Sequence, residues 1–499
     1  MGQEEPEQGV GSAERRVHMI GHGHIDAAWL WPWWEGMQEV WSTFRSALDR
    51  MEEHPEVCFV ASSAAYYEWI ERLDPGMLDE IRRRVEEGRW ELVGGWWIEP
   101  DCNIPGGEAL VRQALHGQRY FLSRFGRAAT IGFNVDSFGH PGSFPQLLRG
   151  AGLRRYVFLR PGPHEQELPG RVFHWESADG SSVLAFRVCN SYNSGPDDIE
   201  EELAQNRAEI RPPHRGMACF FGIGNHGGGP TRANLGAIDQ LRHRWPDTSV
   251  EYGTLERFFE EAEGEGPRPA HRGELQHHAS GCYAAHSGIK RWNRRAEQML
   301  LAAERAQVLA SRLNAARPAD LGGAWRALLF NQFHDILAGT SLASVYDSAR
   351  DGMGEAAAIA ERELWASLQA VAARIDIPAV EGSTRSSSSN PTASPWTPSS
   401  SWRRAGGRRW ARSRTKRVRW RRCRRCGRRR PPAAGTGSPS GPASRRWATA
   451  SSGPGPGPLP SRRRAAGARC SRTTSCASRW TPAPAWCPTC STAAVATRC

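Results

Sequence analysis

Four short stretches of this chain gather side chains that can bind a metal or move a proton. The first, residues 17–26 (VHMIGHGHID), is an apolar run that ends in glycine and then alternates imidazole and carboxylate. His24 and Asp26 are two residues apart, so an extended backbone sends both side chains to the same side, one nitrogen and one oxygen for a divalent cation. The plainer reading is a solvated His/Gly turn. Residues 130–140 (TIGFNVDSFGH) form a second apolar run ending in a carboxylate, Asp136, before the small and aromatic residues of a tight turn. Asn331-Gln332-Phe333-His334-Asp335 sets an imidazole beside a carboxylate after an apolar helix. Residues 221–231 (FGIGNHGGGPT) run from a strand end into a glycine-rich loop, where backbone can approach a ligand closely. Lacking a Gly-Lys-Ser/Thr, that loop is no nucleotide phosphate loop. Taken singly, each stretch fits a structural role before a catalytic one.

Such groups act together only if strands deliver them to one rim of a sheet, where α/β enzymes keep their chemistry. Apolar runs at 17–20, 58–61, 90–97, 130–135, 156–159, 183–188, 218–223 and, more weakly, 248–252 read as strands. Between them, 41–53, 77–87 and 108–125 carry apolar residues at helical intervals. The alternation argues a parallel α/β domain over 15–265, and seven or eight strands close naturally as a barrel or strongly twisted sheet. From Gly281 the pattern turns helical. Trp292, Ala296, Met299, Ala303, Ala306, Leu309 and Leu313 make one stripe, Leu364, Leu368, Val371 and Ile375 another, with a helix at about 323–333 between them. Three helices with short connections predict a bundle over 275–377.

The chain changes character near residue 380. Of its 65 basic and 53 acidic residues, 26 and one respectively lie at 381–499, a net of +25 there against −13 on the first 380. The overall +12 averages two unlike parts, so it assigns no nucleic-acid partner to the first. That first part has five scattered cysteines and no Cys-x-x-Cys, the pattern of a reduced, cytoplasmic protein. Residues 1–14 read as a flexible leader with no apolar segment, and no run of 18 apolar residues occurs to suggest a membrane partner. Residues 381–499 hold three aliphatic side chains, Val418, Leu459 and Val495, too few for a core. Their Cys423-Arg-Arg-Cys426 and Cys487-Pro-Thr-Cys490 pairs stand 60 residues apart, which disfavours a zinc ribbon.

In chain order, HGHIDAAWLWP at 22–32, GFNVDSFGH at 132–140, HHASGCYAAHSGIKRWNRRAEQ at 277–298 and NQFHDILAGTS at 331–341 resemble glycoside hydrolase family 38, the zinc-dependent α-mannosidases, above all their cytosolic and bacterial branch. The resemblance implies a seven-stranded β/α catalytic domain, a three-helix bundle and then β-domains that 381–499 cannot supply. Two lysines beside 63 arginines point to a GC-rich gene, and such a gene read in a shifted frame yields Arg, Pro, Ala, Gly and Ser. The tail is therefore expected to be a disordered, out-of-frame translation. By motif position, His24, Asp26, Asp136 and His334 match the family's zinc ligands and Asp136 its nucleophile. Trp29 and Phe138 match positions facing the sugar and Asp335 one that binds sugar hydroxyls, while Arg160 and Tyr192 are looser substrate-binding matches. A zinc ion with two imidazoles and two carboxylates leaves room for two adjacent hydroxyls, and the axial 2-OH of mannose supplies a cis diol. The implied reaction is retaining hydrolysis of terminal α-D-mannose from oligosaccharides, with a homo-oligomer left open.

One departure matters. Where other branches carry a carboxylate pair after the glycine, one of them the general acid, this chain reads Gly224-Asn225-His226. Asparagine cannot lend a proton at neutral pH. An imidazole at His226 can, and it serves equally well as a plain loop residue. Two other readings stand beside the mannosidase: an inactive, truncated family member, and a zinc amidohydrolase, in which the aromatic-rich DAAWLWPWW at 26–34 has no job.

Overall fold

From Val17 onward the first strand buries every residue, and a strand covered on both faces belongs inside a parallel sheet. The computed structural model describes residues 15–375 except Pro213; the leader and the tail discussed above lie outside the described residues. Its strands are β1 (Arg15–His22), β2 (Phe59–Ala61), β3 (Trp90–Leu92), β4 (Ile131–Asn134), β5 (Arg155–Phe158), β6 (Val172–Glu176), β7 (Ser182–Arg187), β8 (Gly216–Phe221), β9 (Thr248–Tyr252) and β10 (Ala270–Arg272). β1 pairs in parallel with β8 from Arg16 to Gly21. Its other edge is shared, with β9 against Arg15–Met19 and β2 against Gly21 and His22. β3 extends the sheet beyond β2. A second sheet runs β10-β6-β7-β5-β4, parallel except for the β6–β7 pair. The Gly94 N–H, donating to the Ile131 carbonyl at 2.8 Å, ties the two sheets together just past β3.

Among the described residues the fold is α/β, with ten strands in two five-stranded sheets, where the sequence pattern suggested seven or eight strands in a barrel or strongly twisted sheet. The strand expected at 90–97 stops at Leu92, and 93–98 continues as buried irregular chain that reaches the rim. Beneath β2 and β3, Phe44, Phe59, Tyr67 and Trp90 pack ring against ring at 4.8–6.5 Å. The polar ends of that cluster are satisfied, with Trp90 Nε1 donating to Tyr67 Oη and Tyr67 donating to the Ala61 carbonyl. Buried aromatics of this size supply much of a core's transfer energy.

C-terminal to the sheets, the helices Ser287–Arg312, Gly322–Phe330 and Ala343–Ala372 pack on one another, and a short helix, His334–Ala338, interrupts the sequence between the last two. The contact face of the first differs from the expected stripe. It runs through Ile289, Asn293, Ala296, Leu300, Ala303, Gln307 and Ala310, while Leu309 and Leu313 are 48% and 46% exposed. That is a 3.5-residue spacing built on small side chains, matched by Ala349, Ala356, Ala357 and Ala360 on the partner helix. Ala296, Ala303 and Ala306 of the expected stripe are buried, while its last two leucines lie outside the contact face.

Candidate metal centre

Except for His334 and Asp335, each group of interest follows the C-terminal end of a strand. His24 and Asp26 lie just past β1, Asp136 past β4, Arg160 past β5, Tyr192 past β7, and Asn225 and His226 past β8. Parallel strands align those ends on one rim, which makes it a binding surface. The glycine-rich loop backs this rim. Gly222 has φ +128°, and a Cβ there would stand 2.0 Å from the His22 carbonyl, so only glycine lets the loop pass so close to β1. The Asn225 carbonyl then accepts from the Asp26 N–H at 2.9 Å, which fixes the backbone that carries His24 and Asp26.

His334 arrives from the helical part. Gln332 anchors it, donating through Nε2 to Asn293 and Glu297 while its carbonyl accepts from the Asp101 N–H at 2.9 Å. Phe333 forms an antiparallel bridge with Pro100. The imidazole then sits fully buried at the rim.

His24, Asp26, Asp136 and His334 are all buried, and one ligating atom from each lies within 4.8 Å of the others. His24 Nε2 stands 3.0 Å from Asp26 Oδ1 and 3.7 Å from Asp136 Oδ2. His334 Nε2 stands 3.5 Å from Asp26 Oδ1 and 3.3 Å from Asp136 Oδ2. Both imidazoles thus turn Nε2 inward. The second oxygen of Asp136 faces the other way, accepting from Arg160 Nε at 2.9 Å.

The electrostatics of this cluster match its geometry. Burial lowers the pKa of His24, but the charge and hydrogen bond of Asp26, with Glu99 and Asp136, outweigh it, and the net shift is upward. His334 is raised well above an ordinary histidine, burial being overcome by Asp136 and Asp26. Burial also opposes ionisation of Asp26 and Asp136, yet the two imidazoles, with Arg160 at Asp136, hold both carboxyls below the usual range. Two imidazolium and two carboxylate groups sum to zero charge, and so do two neutral imidazoles, two carboxylates and a divalent cation. A cation can therefore replace the two protons without changing the charge buried there. His334 Nε2 also lacks a hydrogen-bond partner, a buried polar atom of the kind a metal satisfies. The residues fit a divalent ion.

The remaining expected site residues divide into near and far. Tyr192 is near, its ring 4.9 Å from that of His24. Phe138 lies 6.0 Å from the His334 ring and 5.9 Å from the Arg160 guanidinium carbon. Asp335 Oδ2 is 3.7 Å from His334 Nε2, and Oδ1 accepts from the Thr340 hydroxyl at 2.6 Å. Burial, partly opposed by His334 and reinforced by Asp26, pushes the Asp335 pKa up to about 7. Trp29 packs edge-on against Trp31 at 5.7 Å, and Trp31 in turn donates from Nε1 to the Asp26 carbonyl. His226 is half exposed, its ring 4.4 Å from Trp31 and its Nε2 3.1 Å from Glu35 Oε1. The structure therefore leaves His226 outside the four-residue cluster. A cavity of about 610 Å³ opens beside Arg160, lined also by Gly162, Glu165, Ser191 and His278, while none of the four clustered side chains lines it.

Glu99, buried at the same rim, was not anticipated. The signal was present: residues 92–98 are an apolar run followed by a carboxylate, the same feature that singled out Asp26 and Asp136.

The chain is 34% identical over 349 residues to Alpha-mannosidase 2C1 of Homo sapiens, an alignment covering 68% of this chain and 33% of that protein. It is 29% identical over 360 residues to Alpha-mannosidase of Saccharomyces cerevisiae, again 68% of this chain and 33% of that one. The chain thus spans about a third of the length of these curated relatives. The fold resembles the crystal structure of an alpha-mannosidase from Enterococcus faecalis V583, with TM-score 0.65 and 20% identity over 73% of this chain and 43% of that one. Residues 277–371 match the alpha mannosidase middle domain. With residues 14–280 matching the N-terminal domain of the glycosyl hydrolases family 38, the chain belongs to glycosyl hydrolase family 38.

Proposed function

We propose that the protein is a zinc-dependent, retaining α-mannosidase that removes terminal α-D-mannose from oligosaccharides. The convergence of His24, Asp26, Asp136 and His334 is the observation that carries this reading. Family membership sets the amidohydrolase alternative aside. We also propose the barrel and three-helix bundle as the architecture of the catalytic region. We propose a cytoplasmic location from the five free cysteines among the described residues.

Two imidazoles and two carboxylates form a zinc-type donor set. His24, Asp26, Asp136 and His334 would hold the ion, which would supply Lewis acidity toward adjacent sugar hydroxyls. Asp136 is ionised, as a nucleophile must be, and Arg160 fixes the plane of its carboxylate. An oxygen of Asp136 bonds to the anomeric carbon as the glycosidic C–O bond breaks and the departing oxygen takes a proton from a general acid. Water then attacks the same carbon, Asp136 departs with its electron pair, and the proton returns to the acid. Two inversions give retention. Phe138 and Trp29 supply aromatic faces for the apolar C–H surface of the sugar, while Asp335 and Tyr192 offer polar groups to its hydroxyls. The experiment is proton NMR of aryl α-mannoside hydrolysis by the purified chain: α-mannose is expected as the first product, and β-mannose appearing first contradicts the mechanism.

His226 is the group we assign as general acid, since Asn225 cannot serve. It stands on the rim with Glu35 to hold its imidazole. His226→Ala should slow substrates with poor leaving groups on the order of 10²–10⁴-fold and spare nitrophenyl mannosides. Equal slowing of both classes would reduce His226 to a loop residue.

A further inference from the structure

Glu99 touches three of the four clustered residues, each through a different atom. Its Oε1 accepts from the backbone N–H of Asp136 at 2.8 Å and of Ser137 at 3.2 Å. Its carbonyl accepts from His334 Nδ1 at 3.2 Å. Its Oε2 faces His24 Nδ1 at 3.8 Å and has no hydrogen-bond partner. The residue is 2% exposed, and a carboxylate oxygen left unpaired at that depth is costly.

At 3.8 Å the contact to His24 is too long for a direct hydrogen bond. Beside it lies a void of about 10 Å³, room for one water, lined among others by His22, His24, Ser62, Tyr66 and Glu99. His22 gives its Nδ1 proton to the Val60 carbonyl at 3.0 Å, which makes Nε2 an acceptor, and that atom is also buried without a partner. Two acceptors, Glu99 Oε2 and His22 Nε2, and one donor, His24 Nδ1–H, therefore border the same space. One water, donating twice and accepting once, is their complement.

We propose that Glu99 is a positioning residue of the metal centre and that the void beside it is a water site through which its carboxylate reaches His24. The inference rests on reading the four clustered residues as a metal site. A histidine ligates through a lone pair, and the hydrogen bond at its other nitrogen decides which nitrogen carries it. Glu99 does this twice: its carbonyl takes the Nδ1 proton of His334, and its carboxylate, through the water, takes that of His24. Both Nε2 lone pairs then face Asp26 and Asp136. Its Oε1, on the two amides after β4, sets the turn that aims Asp136 inward.

Glu99→Gln keeps the size and one oxygen for those amides, but places an NH2 group where Oε2 stands. The water then loses its acceptor at residue 99, and with it the chain that takes the Nδ1 proton of His24 and keeps the Nε2 lone pair for the metal. Zinc affinity of the full chain, read by chelator competition, should fall about 10- to 100-fold. The ligand-field spectrum of the cobalt-substituted protein should change with it, while the metal-free melting temperature stays near wild type. His22→Leu, which removes one acceptor of the water and no partner of a ligand, should weaken zinc only a few-fold. If wild type holds zinc and Glu99→Gln holds it equally well, the role of Glu99 is overturned while the metal reading survives; a wild-type chain that holds no zinc overturns the metal reading itself. Should Glu99→Gln not fold, His22→Leu decides, since unchanged zinc affinity there contradicts the water site.

Discussion

Asp136→Asn should lower the turnover of α-mannosides by roughly 10⁴-fold or more, because it removes nucleophile and ligand together. The amide has no charge to attack an anomeric carbon. Its NH2 must also point either at Arg160, a donor, or at the imidazole pair around His24 and His334, where a lone pair is wanted. Neither orientation satisfies both sides, so the loss cannot be recovered by rotation about the terminal torsion. The measurement is kcat on an aryl α-mannoside with metal content followed in parallel. A variant within tenfold of wild type would remove Asp136 from the mechanism and leave it, at most, a structural carboxylate.

Much of the rim was legible because chemistry-bearing residues follow apolar runs. His24, Asp26 and Asp136 stand directly past β1 and β4, and the structure places them with His334 within 4.8 Å. Glu99 escaped because the run from Trp90 looked like one long strand, whereas only Trp90–Leu92 pairs and the next six residues are buried loop. β6 and β10 were missed for different reasons. β6 exists through its antiparallel pairing with β7, and β10 is a three-residue edge strand with no apolar pattern to announce it. Local sequence could not foresee that His226 would meet Glu35, 191 residues away, because that contact depends on how the glycine-rich loop lies against the helix Trp33–Glu53. Of the bundle stripes, Ala296, Ala303, Ala306 and Leu364 are buried as expected, whereas Leu309, Leu313, Leu368 and Ile375 are exposed.

The metal should be indispensable. Removing it leaves His334 Nε2 without a partner and two carboxylates facing two imidazoles with nothing to hold a diol. Zinc that binds only the folded chain should stabilise it by about 4 kcal/mol at a thousandfold excess over Kd. His334→Ala, with one imidazole gone from a fully buried position, should lose that gain and the activity together. The most direct measurement is mannoside hydrolysis by the metal-stripped full chain as zinc is titrated in, with His334→Ala run beside it. Wild-type activity should rise from zero and break at one zinc per chain, with none in the variant. Hydrolysis by the stripped chain that zinc does not increase, or a zinc response that His334→Ala retains, would contradict it.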